Sequence, residues 1–315
     1  MSAYLIRRLL ISIPVVLGVT FIVFALVSLA PGDPINLLLA SEKVTPEMAE
    51  RVREYYGLDK PWYSQYATYL GHLLRGDMGY SITTRTPVSQ SIKRCLPNTL
   101  QLTAASMIVA LLIAIPVGVL SATHRNSFLD YVSLTGSMLG VSMPNFWLGL
   151  LLLLLLGLQF KVLPIWGIGR LSRGLWDVIS HLIMPSLTLG TSLAGLLTRL
   201  TRSSVLEVLS QDYISTARAK GLAEWAVRYR HALRNAIIPV LTAAGLQFGA
   251  LLGGAVIVET IFAWPGMGRL AYGAIQQRDL PMIQGTTLVF AICFIAVTLL
   301  VDVLYVFIDP RIRYD

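Results

Sequence analysis

Residues 198–234 read TRLTRSSVLEVLSQDYISTARAKGLAEWAVRYRHALR, a polar and basic stretch between two long apolar runs. Its basic side chains are Arg199, Arg202, Arg218, Lys220, Arg228, Arg230 and Arg234, and its acids are Glu207, Asp212 and Glu224. The flanking runs are long enough to cross a bilayer as helices, which requires about 20 residues. We therefore expect the stretch to be a water-exposed loop, and its basic excess indicates that the loop lies in the cytoplasm.

The composition of the whole chain is typical of a membrane protein. Of its 315 residues, 55% are hydrophobic and 13% are charged, whereas about 25% are charged in ordinary soluble domains. The net charge of +8 is concentrated in short loops between apolar runs, so membrane topology accounts for it and we expect no nucleic-acid partner. The chain has two cysteines, Cys95 and Cys293, and four scattered histidines. Their spacing does not match that of metal ligands, so we expect no metal site built by this chain.

Six apolar stretches reach the length of a membrane-spanning helix. They are residues 9–30, a run within 95–123, a run within 131–160, and residues 178–198, 235–258 and 280–308. Lipid offers the backbone no hydrogen-bond partner, so each stretch is expected to be helical. The first run has 22 residues, against about 7–15 for the apolar core of a signal peptide, which favours a retained anchor. The sequence thus predicts an all-α membrane protein with six transmembrane helices.

The distribution of basic residues predicts the orientation. Six spans place both termini on one side of the membrane. The termini, the 124–130 loop and the central loop together carry twelve Lys and Arg, and the opposite short loops carry five. Because a basic excess marks cytoplasmic loops, we expect a multi-pass protein of the cell inner (cytoplasmic) membrane with both termini in the cytoplasm and lipid around its spans.

The chain divides into three predicted parts. Residues 1–30 form the cytoplasmic N-terminal end and the first span, and residues 31–94 form a small external insertion. Residues 95–315 form the transmembrane core, which contains a cytoplasmic loop at 199–234. The long segment 31–94 is left out of the charge count, because long segments translocate largely regardless of their charge.

The external insertion is expected to be helical. The run Pro31-Gly32-Asp33-Pro34 turns the chain out of the membrane, and a helix that begins at Pro46 ends at Gly57. A second helix is expected to begin near Pro61 and carries aromatic residues: Trp62, Tyr66 and Tyr69. These aromatic side chains suit the lipid interface, or alternatively a docking surface for an external partner.

The central loop has helical patterning of its own. Ser203 or Ser204 is expected to cap a helix that runs to Ala219, and Gly221 is expected to end it. A second, shorter helical segment over 222–233 mixes aromatic and basic side chains. Such a helix between two spans suits docking into a groove of a soluble partner. The alternative is a solvated loop whose arginines only fix the topology.

The run Ser215-Thr216-Ala217, followed after three residues by Gly221, resembles the EAA loop of permease subunits in ABC importers. In that family the loop reads Glu-Ala-Ala-x3-Gly-x9-Ile-x-Leu-Pro and forms the helix that enters a cleft of the ATPase subunit. Here Ser215 and Thr216 stand at the Glu-Ala positions, and residues 231–234 are His-Ala-Leu-Arg. These departures, with the runs TARAKG and RHALRN, are similar to the dipeptide, oligopeptide, glutathione and nickel branch.

Further motifs resemble the first permease of that branch along nearly the whole chain. They are Pro-Gly-Asp-Pro at 31–34, Gly-Leu-Asp-Lys-Pro at 57–61, Arg-Gly-Asp-Met-Gly at 75–79, Val-Ser-Met-Pro-Asn-Phe-Trp at 141–147, Phe-Ala-Trp-Pro-Gly-Met-Gly-Arg at 262–269 and Asp-Pro-Arg at 309–311. Their order is specific for the branch and does not specify the cargo.

The resemblance implies a type I ABC importer permease fold and a set of partners. These are a second homologous permease, two ATPase subunits and an extracytoplasmic solute-binding protein. The cargo is expected to be a di- or oligopeptide or glutathione, with nickel or a metal chelate as the alternative. The chain has no Gly-x4-Gly-Lys-Ser/Thr motif, so we expect no cofactor here and no enzymatic activity, with ATP and Mg bound by the partner ATPases.

Two sets of residues are candidates for the transport function. The ATPase-coupling candidates are Ser215, Thr216, Ala217, Gly221, Glu224, Trp225, Arg228, His231 and Leu233. The candidates for the translocation path are polar residues in predicted spans: Ser142, Asn145, Gln247, Gln284 and Thr287. Polar groups in spans line cavities or bond to neighbouring helices, and the second alternative stays open for each of them.

Two other classes of protein fit the sequence less well. A stand-alone secondary transporter or channel would need charged relays inside the membrane, and only Asp302 and Glu259 qualify. A membrane-embedded enzyme would need a clustered catalytic set, and the sequence suggests none.

Overall fold

The computed structural model describes residues 2–29, 50, 54 and 59–308, and every regular element over these residues is a helix. In chain order the helices are α1 (Ser2–Leu29), α2 (Trp62–Leu74), α3 (Val88–Thr123), α4 (Phe128–Ser142), α5 (Asn145–Leu152), α6 (Leu175–Leu209), α7 (Asp212–Ala219), α8 (Leu233–Gly254), α9 (Val256–Ile261), α10 (Met267–Gln276) and α11 (Leu280–Ile308). A π-helix, Leu153–Gln159, extends α5, and a second π-helix, Ala226–Ala232, precedes α8. A short 3-10 helix covers Leu171–Arg173.

Four of the described helical runs are long and apolar enough to cross a membrane: Val88–Thr123, Leu175–Leu209, Ala226–Gly254 and Leu280–Val303. Helix α4 and helix α5 with its π-helical extension meet at an angle of 98°. If this bent pair is counted as a single span, the described residues contain a fifth span. The described apolar part of α1, Leu10–Ala25, is shorter. The described residues therefore give four or five spans, and the count of six stays a prediction.

The predicted span within 131–160 consists of two helices that meet at an angle of 98°. Proline lacks a backbone N–H and disfavours a helical conformation in the residue before it. Met143 and Pro144 accordingly have extended ψ angles of 125° and 132°, which separate α4 from α5. The prediction for 280–308 is confirmed by α11, whose bounds coincide with it.

The described residues divide into two compact units, of which the first combines residues 1–96 with 270–292. Within it α2 packs against α1 through aromatic side chains, with Tyr66 5.5 Å from Phe21 between ring centroids. The Tyr66 hydroxyl lies 3.0 Å from the Thr20 hydroxyl, while Trp62 is exposed. Tyr66 therefore stabilises the packing of α2 on α1, a role that neither alternative for these aromatics had included.

Some predicted features lie outside the described residues. They are the turn at 31–34, the helix from Pro46 to Gly57 and the C-terminal motif at 309–311. The external insertion as a whole, residues 31–94, is thus described only in part.

The second unit combines residues 97–269 with 293–315. Its core contains large apolar side chains, and those fully buried include Leu102, Met184 and Leu197 from helices and Trp264 from the stretch between α9 and α10. Helices approach each other closely at glycine residues, which have no side chain. At Gly195, for example, an added Cβ would overlap the Ser137 carbonyl oxygen. Such contacts fix the positions of neighbouring spans, because packed interiors have little room to adjust.

Candidate functional site

The central basic stretch is not a separate loop from residue 198 onward. Ser203 and Ser204 lie inside α6, which continues without a break to Leu209, so the predicted helix start at these serines is wrong. The run from Val205 to Leu209 contains no Gly or Pro, and Val205 and Val208 are buried. The apolar spacing therefore continues the span rather than starting a new helix. The next helix, α7, begins at Asp212.

Gly221 ends the α7 region, as predicted. Its φ angle is +75°, in the left-handed region that glycine adopts without a steric penalty. The Gly221 N–H donates to the Arg218 carbonyl at 2.9 Å, and the Leu222 N–H donates to the Ala217 carbonyl at 3.3 Å. These bonds satisfy carbonyl groups that the end of a helix leaves without partners.

The predicted helical segment over 222–233 is helical from Glu224 onward, and no break separates it from the helix that follows. Helical structure begins at Glu224 and continues through the π-helix into α8 without a break. Residues 212–232, named here the coupling segment, therefore consist of α7, a glycine turn and the first turns of the next span. The segment is therefore continuous with α8.

The inner face of the coupling segment packs into a small apolar cluster. The segment contributes Ile214, Ala217, Val227 and Ala232, and the spans contribute Val119, Ala122, Val205, Val208 and Ala236. These residues come from the ends of α3 and α6 and from the start of α8. Fully burying a Val or Ile side chain contributes about 1.5–3 kcal/mol, so the cluster holds the segment firmly against three spans.

The outer face of the coupling segment exposes large side chains. Trp225 is 67% exposed and Tyr229 is 56% exposed, and Ser215 and Thr216 are exposed on α7. Exposed apolar groups beside polar ones mark interaction surfaces. Tryptophan and tyrosine are also enriched among the residues that contribute most to binding energy.

Two arginines hold Glu224 at the start of this helical run. Arg218 Nε donates to Glu224 Oε1 at 2.9 Å, and Arg228 Nε lies 3.4 Å from Glu224 Oε2. The hydrogen bond from Arg218, and then the charges of both arginines, hold the pKa of Glu224 below its ordinary value. The carboxylate thus ties the end of α7 to the π-helix across the glycine turn.

The coupling candidates fall into two groups in the structure. Ser215, Thr216, Gly221, Glu224 and Trp225 are exposed. The remaining candidates are buried or half-buried, namely Ala217, Arg228, His231 and Leu233. The structure therefore brings the predicted residues into one segment but gives them different surroundings.

The path candidates do not form one cluster. Ser142 is the last residue of α4 and is exposed, and Asn145 is the first residue of α5 and is half-buried. The two residues flank the 98° bend. Gln247 is half-buried in α8, and Gln284 and Thr287 lie in the part of α11 that belongs to the other compact unit.

Sequence reasoning did not identify a buried ion pair beside the coupling segment. Arg202 donates from Nε and Nη2 to the two carboxylate oxygens of Asp130, each at 2.8 Å. Ser121 Oγ also donates to Asp130, and the Asn126 N–H donates to it at 2.9 Å. The available signal was an aspartate in the first turn of an apolar segment, since such a charge requires a partner.

Glu259 is fully buried and bonded within the protein. Thr99 Oγ1 donates to Glu259 Oε1 at 2.7 Å, and the Arg269 N–H donates to Oε2 at 2.9 Å. A Cβ on Gly266 would overlap the Glu259 carboxylate. The glycine in the 262–269 motif thus allows this segment to approach the carboxylate closely. Among the described residues, no group of three or more His, Cys, Asp or Glu is placed to hold a metal ion.

The fold and the site define a multi-pass helical membrane protein with a structured segment between two spans. Residues 114–314 match the family described as "Binding-protein-dependent transport system inner membrane component", and residues 1–103 match the N-terminal region of such membrane components. The chain belongs to this family, and it is an ABC importer permease of the dipeptide, oligopeptide and glutathione branch.

Curated relatives match over the full length. The chain is 45% identical to the oligopeptide transport system permease protein AppB of Bacillus subtilis (strain 168), with 100% of both chains covered. It is 40% identical to the dipeptide transport system permease protein DppB of Escherichia coli (strain K12), with 100% of this chain and 99% of DppB covered. It is 45% identical to the glutathione transport system permease protein GsiC of Salmonella choleraesuis (strain SC-B67), with 100% of both covered.

Solved structures support the fold. An inward-facing structure of the MetNI methionine ABC transporter aligns with a TM-score of 0.57 and 19% identity, covering 70% of this chain and 97% of that chain. A second crystal form of MetNI gives a TM-score of 0.55, with 69% and 96% covered. The all-helical architecture of the described residues is therefore that of an ABC importer permease.

Proposed function

We propose that this chain forms half of the translocation path of an ATP-driven importer for di- or oligopeptides or glutathione. It pairs in lipid with a second, similar permease, two ATPase subunits hydrolyse ATP with Mg, and an extracytoplasmic binding protein delivers the cargo. The full-length relatives named for oligopeptide, dipeptide and glutathione transport support this cargo class.

The coupling segment is the proposed ATPase-docking element, and its two-faced construction carries the proposal. Its inner face is buried against the ends of three spans, and its outer face exposes Trp225 and Tyr229. A segment fixed to the spans on one side and exposing aromatic anchors on the other suits force transmission from a soluble partner. ATP-driven closure of the ATPases would therefore move α3, α6 and α8 together with the segment.

The proposed docking is tested with a matched pair of tryptophan variants. Trp225 is 67% exposed and Trp166, outside the segment, is 69% exposed. Trp225→Ala is expected to lower co-purification of the ATPase subunits at least about tenfold, as for a tryptophan at an interface centre. Trp166→Ala is expected to leave co-purification unchanged. Equal retention of the ATPases by both variants would refute the docking role of Trp225.

The glycine turn gives a second test. A side chain at a φ angle of +75° costs about 1–2 kcal/mol, and Gly221 otherwise has no atom within 4 Å of an added Cβ. Gly221→Asp is therefore expected to lower uptake and ATPase association while the protein inserts normally into the membrane. Normal uptake by this variant would contradict the proposal.

The break between α4 and α5 is the place where we propose that this chain lines the translocation path. Helix ends leave backbone groups without partners, and such backbone is tolerated at membrane depth only where it is buried in protein or lines a water-filled cavity. Ser142 and Asn145 lie at this break, and broken helices form substrate sites in other transporters. Gln247, Gln284 and Thr287 remain proposed lining residues with less structural support.

The cargo is tested by competition in the reconstituted transporter with its binding protein. Uptake of a labelled dipeptide is expected to fall when unlabelled oligopeptide or glutathione is added in excess. Uptake that only nickel or a nickel chelate inhibits would contradict the peptide assignment.

A further inference from the structure

Helix α4 is attached to α6 at three positions along its length. Near its start, Asp130 forms the two-point ion pair with Arg202 at 2.8 Å. In its middle, Gly195 of α6 leaves no room for a side chain against the Ser137 carbonyl. Near its end, a Cβ on Gly140 would lie 3.1 Å from the Thr191 carbonyl oxygen.

The ion pair is built to hold one geometry. Asp130 is buried, and both of its oxygens accept hydrogen bonds, including those from Ser121 and the Asn126 N–H. Only a planar guanidinium matches a carboxylate with two parallel bonds, so lysine cannot reproduce the contact. Removing one partner would leave an uncompensated buried charge.

The ion pair lies beside the apolar cluster of the coupling segment. Arg202 precedes Val205 on α6, and Ser121 lies between Val119 and Ala122 on α3. The other end of α4 is Ser142, where the chain breaks toward α5. Helix α6 thus connects the apolar cluster at Val205 with Arg202, and the ion pair of Arg202 with Asp130 joins α6 to α4, which ends at the break.

We propose that α4 and α6 move as one body during transport, with Asp130 and Arg202 as positioning residues that hold the start of α4 to α6. Displacement of the coupling segment then reaches the break at Ser142 and Asn145 through this body. The inference rests on the proposed function and adds the element that carries movement to the path.

A reversible cross-link tests whether the two helices slide. Gly140→Cys and Thr191→Cys are introduced together after Cys95 and Cys293 are replaced by Ala. Thr191 Cγ2, whose position the sulfur of a cysteine at 191 could take, lies 3.5 Å from a Cβ added to Gly140, so the two cysteines would be close enough to be joined. The oxidised transporter, reconstituted with its ATPases and binding protein, is expected to take up solute as fast as the reduced one. Loss of uptake on oxidation, restored by reductant and absent in each single-cysteine variant, would overturn the proposal.

Arginine variants test the positioning role separately. Arg202→Lys is expected to lower solute uptake per ATP hydrolysed at least about tenfold, because lysine cannot form the two parallel hydrogen bonds that hold Asp130. Arg199→Lys is the matched control, because Arg199 is exposed on the same helix, and it is expected to leave this ratio unchanged. A purely structural role for Arg202 would lower the amount of assembled transporter and leave uptake per ATP unchanged, which would overturn the positioning role.

The results of these experiments distinguish a failure of this inference from a failure of the proposed function. Failure of the unmodified chain to associate with the ATPases overturns the proposed function and this inference with it. Normal ATPase association, combined with uptake that the disulfide blocks or with unchanged coupling in Arg202→Lys, overturns the inference alone.

Discussion

Glu259 shows at the scale of one residue how a buried carboxylate organises the 262–269 segment. Its oxygens accept hydrogen bonds from Thr99 Oγ1 and from the Arg269 N–H, and Thr99 Oγ1 also accepts a bond from the Met267 N–H at 2.7 Å. The Trp264 indole donates to the Asn98 carbonyl at 2.9 Å. The Thr99 hydroxyl therefore connects α3 both to Glu259 and to the start of α10.

Removal of the Thr99 hydroxyl is expected to destabilise the protein. Thr99→Val leaves Glu259 without one donor and the Met267 N–H without an acceptor, and each buried unsatisfied group costs about 1–3 kcal/mol. The Tm of the purified protein in detergent is therefore expected to fall. Thr99→Ser keeps the hydroxyl and is expected to retain most of the stability, so an equal fall in Tm for both variants would contradict this account.

Glu224 gives a pH prediction for the coupling segment. Its pKa is lowered by Arg218 and Arg228, so its contribution to stability is present above the ordinary carboxyl pKa of 4.5 and is lost as the pH falls through the lower folded-state value. The protection factors of the amides from Arg218 to Arg228, which correct the hydrogen-exchange rates for their intrinsic pH dependence, are expected to fall below that pH in the native chain. In Glu224→Gln this acid-dependent change in hydrogen exchange should be absent. If the change persists in that variant, another titratable group causes it.

Single residues also mark the limit of sequence reasoning about the site. The left-handed turn at Gly221 was predictable because glycine favours that conformation. The pairing of Arg202 with Asp130 was not, because the two residues are 72 positions apart. In the sequence Arg202 belonged to a basic stretch that was expected to face water, and only the packing of α4 on α6 shows that its guanidinium is partly buried.

At the scale of elements, close glycine contacts determine how the spans pack. The sequence predicted the spans from apolar length, but it placed the end of the fourth span at residue 198, whereas α6 continues to Leu209. The basic residues there suggested a loop, although Val205 and Val208 continue the buried face. Charge marks the membrane boundary of a helix and does not mark its end.

A pair of glycine variants tests this packing. Gly195→Ala is expected to destabilise the protein by about 1–3 kcal/mol, because the methyl group would overlap the Ser137 carbonyl. Gly253→Ala is the matched control, since Gly253 is helical and has no atom within 4 Å of an added Cβ. It is expected to be neutral or stabilising by up to about 1 kcal/mol. Similar unfolding midpoints for the two variants would contradict the assigned α4–α6 contact.

At the scale of the whole molecule, the family and its branch were predictable from ordered motifs, and the curated relatives confirm them. The span count was less predictable, because the bend at Met143 and Pro144 divides one apolar stretch into two short helices. Hydrophobic length alone cannot distinguish a straight span from a broken one. The cytoplasmic location of both termini and of the coupling segment remains our proposal.

Accessibility labelling tests the proposed topology. In a chain without Cys95 and Cys293, Arg85→Cys is expected to react with a membrane-impermeant maleimide added from outside, since Arg85 is exposed in the proposed external part. Lys220→Cys, which is exposed in the coupling segment, is expected to react only after the cytoplasmic membrane is opened. The reverse pattern would invert the proposed orientation.

Site-specific photo-cross-linking from Trp225 tests the central claim most directly. A photoreactive phenylalanine analogue replaces Trp225 in cells that produce the complete transporter, and the same analogue at Trp166 serves as the control. We predict a cross-link from position 225 to an ATPase subunit and none from position 166. Absence of an ATPase cross-link at position 225, in a transporter that still takes up solute, would contradict the claim that this segment couples ATP hydrolysis to transport.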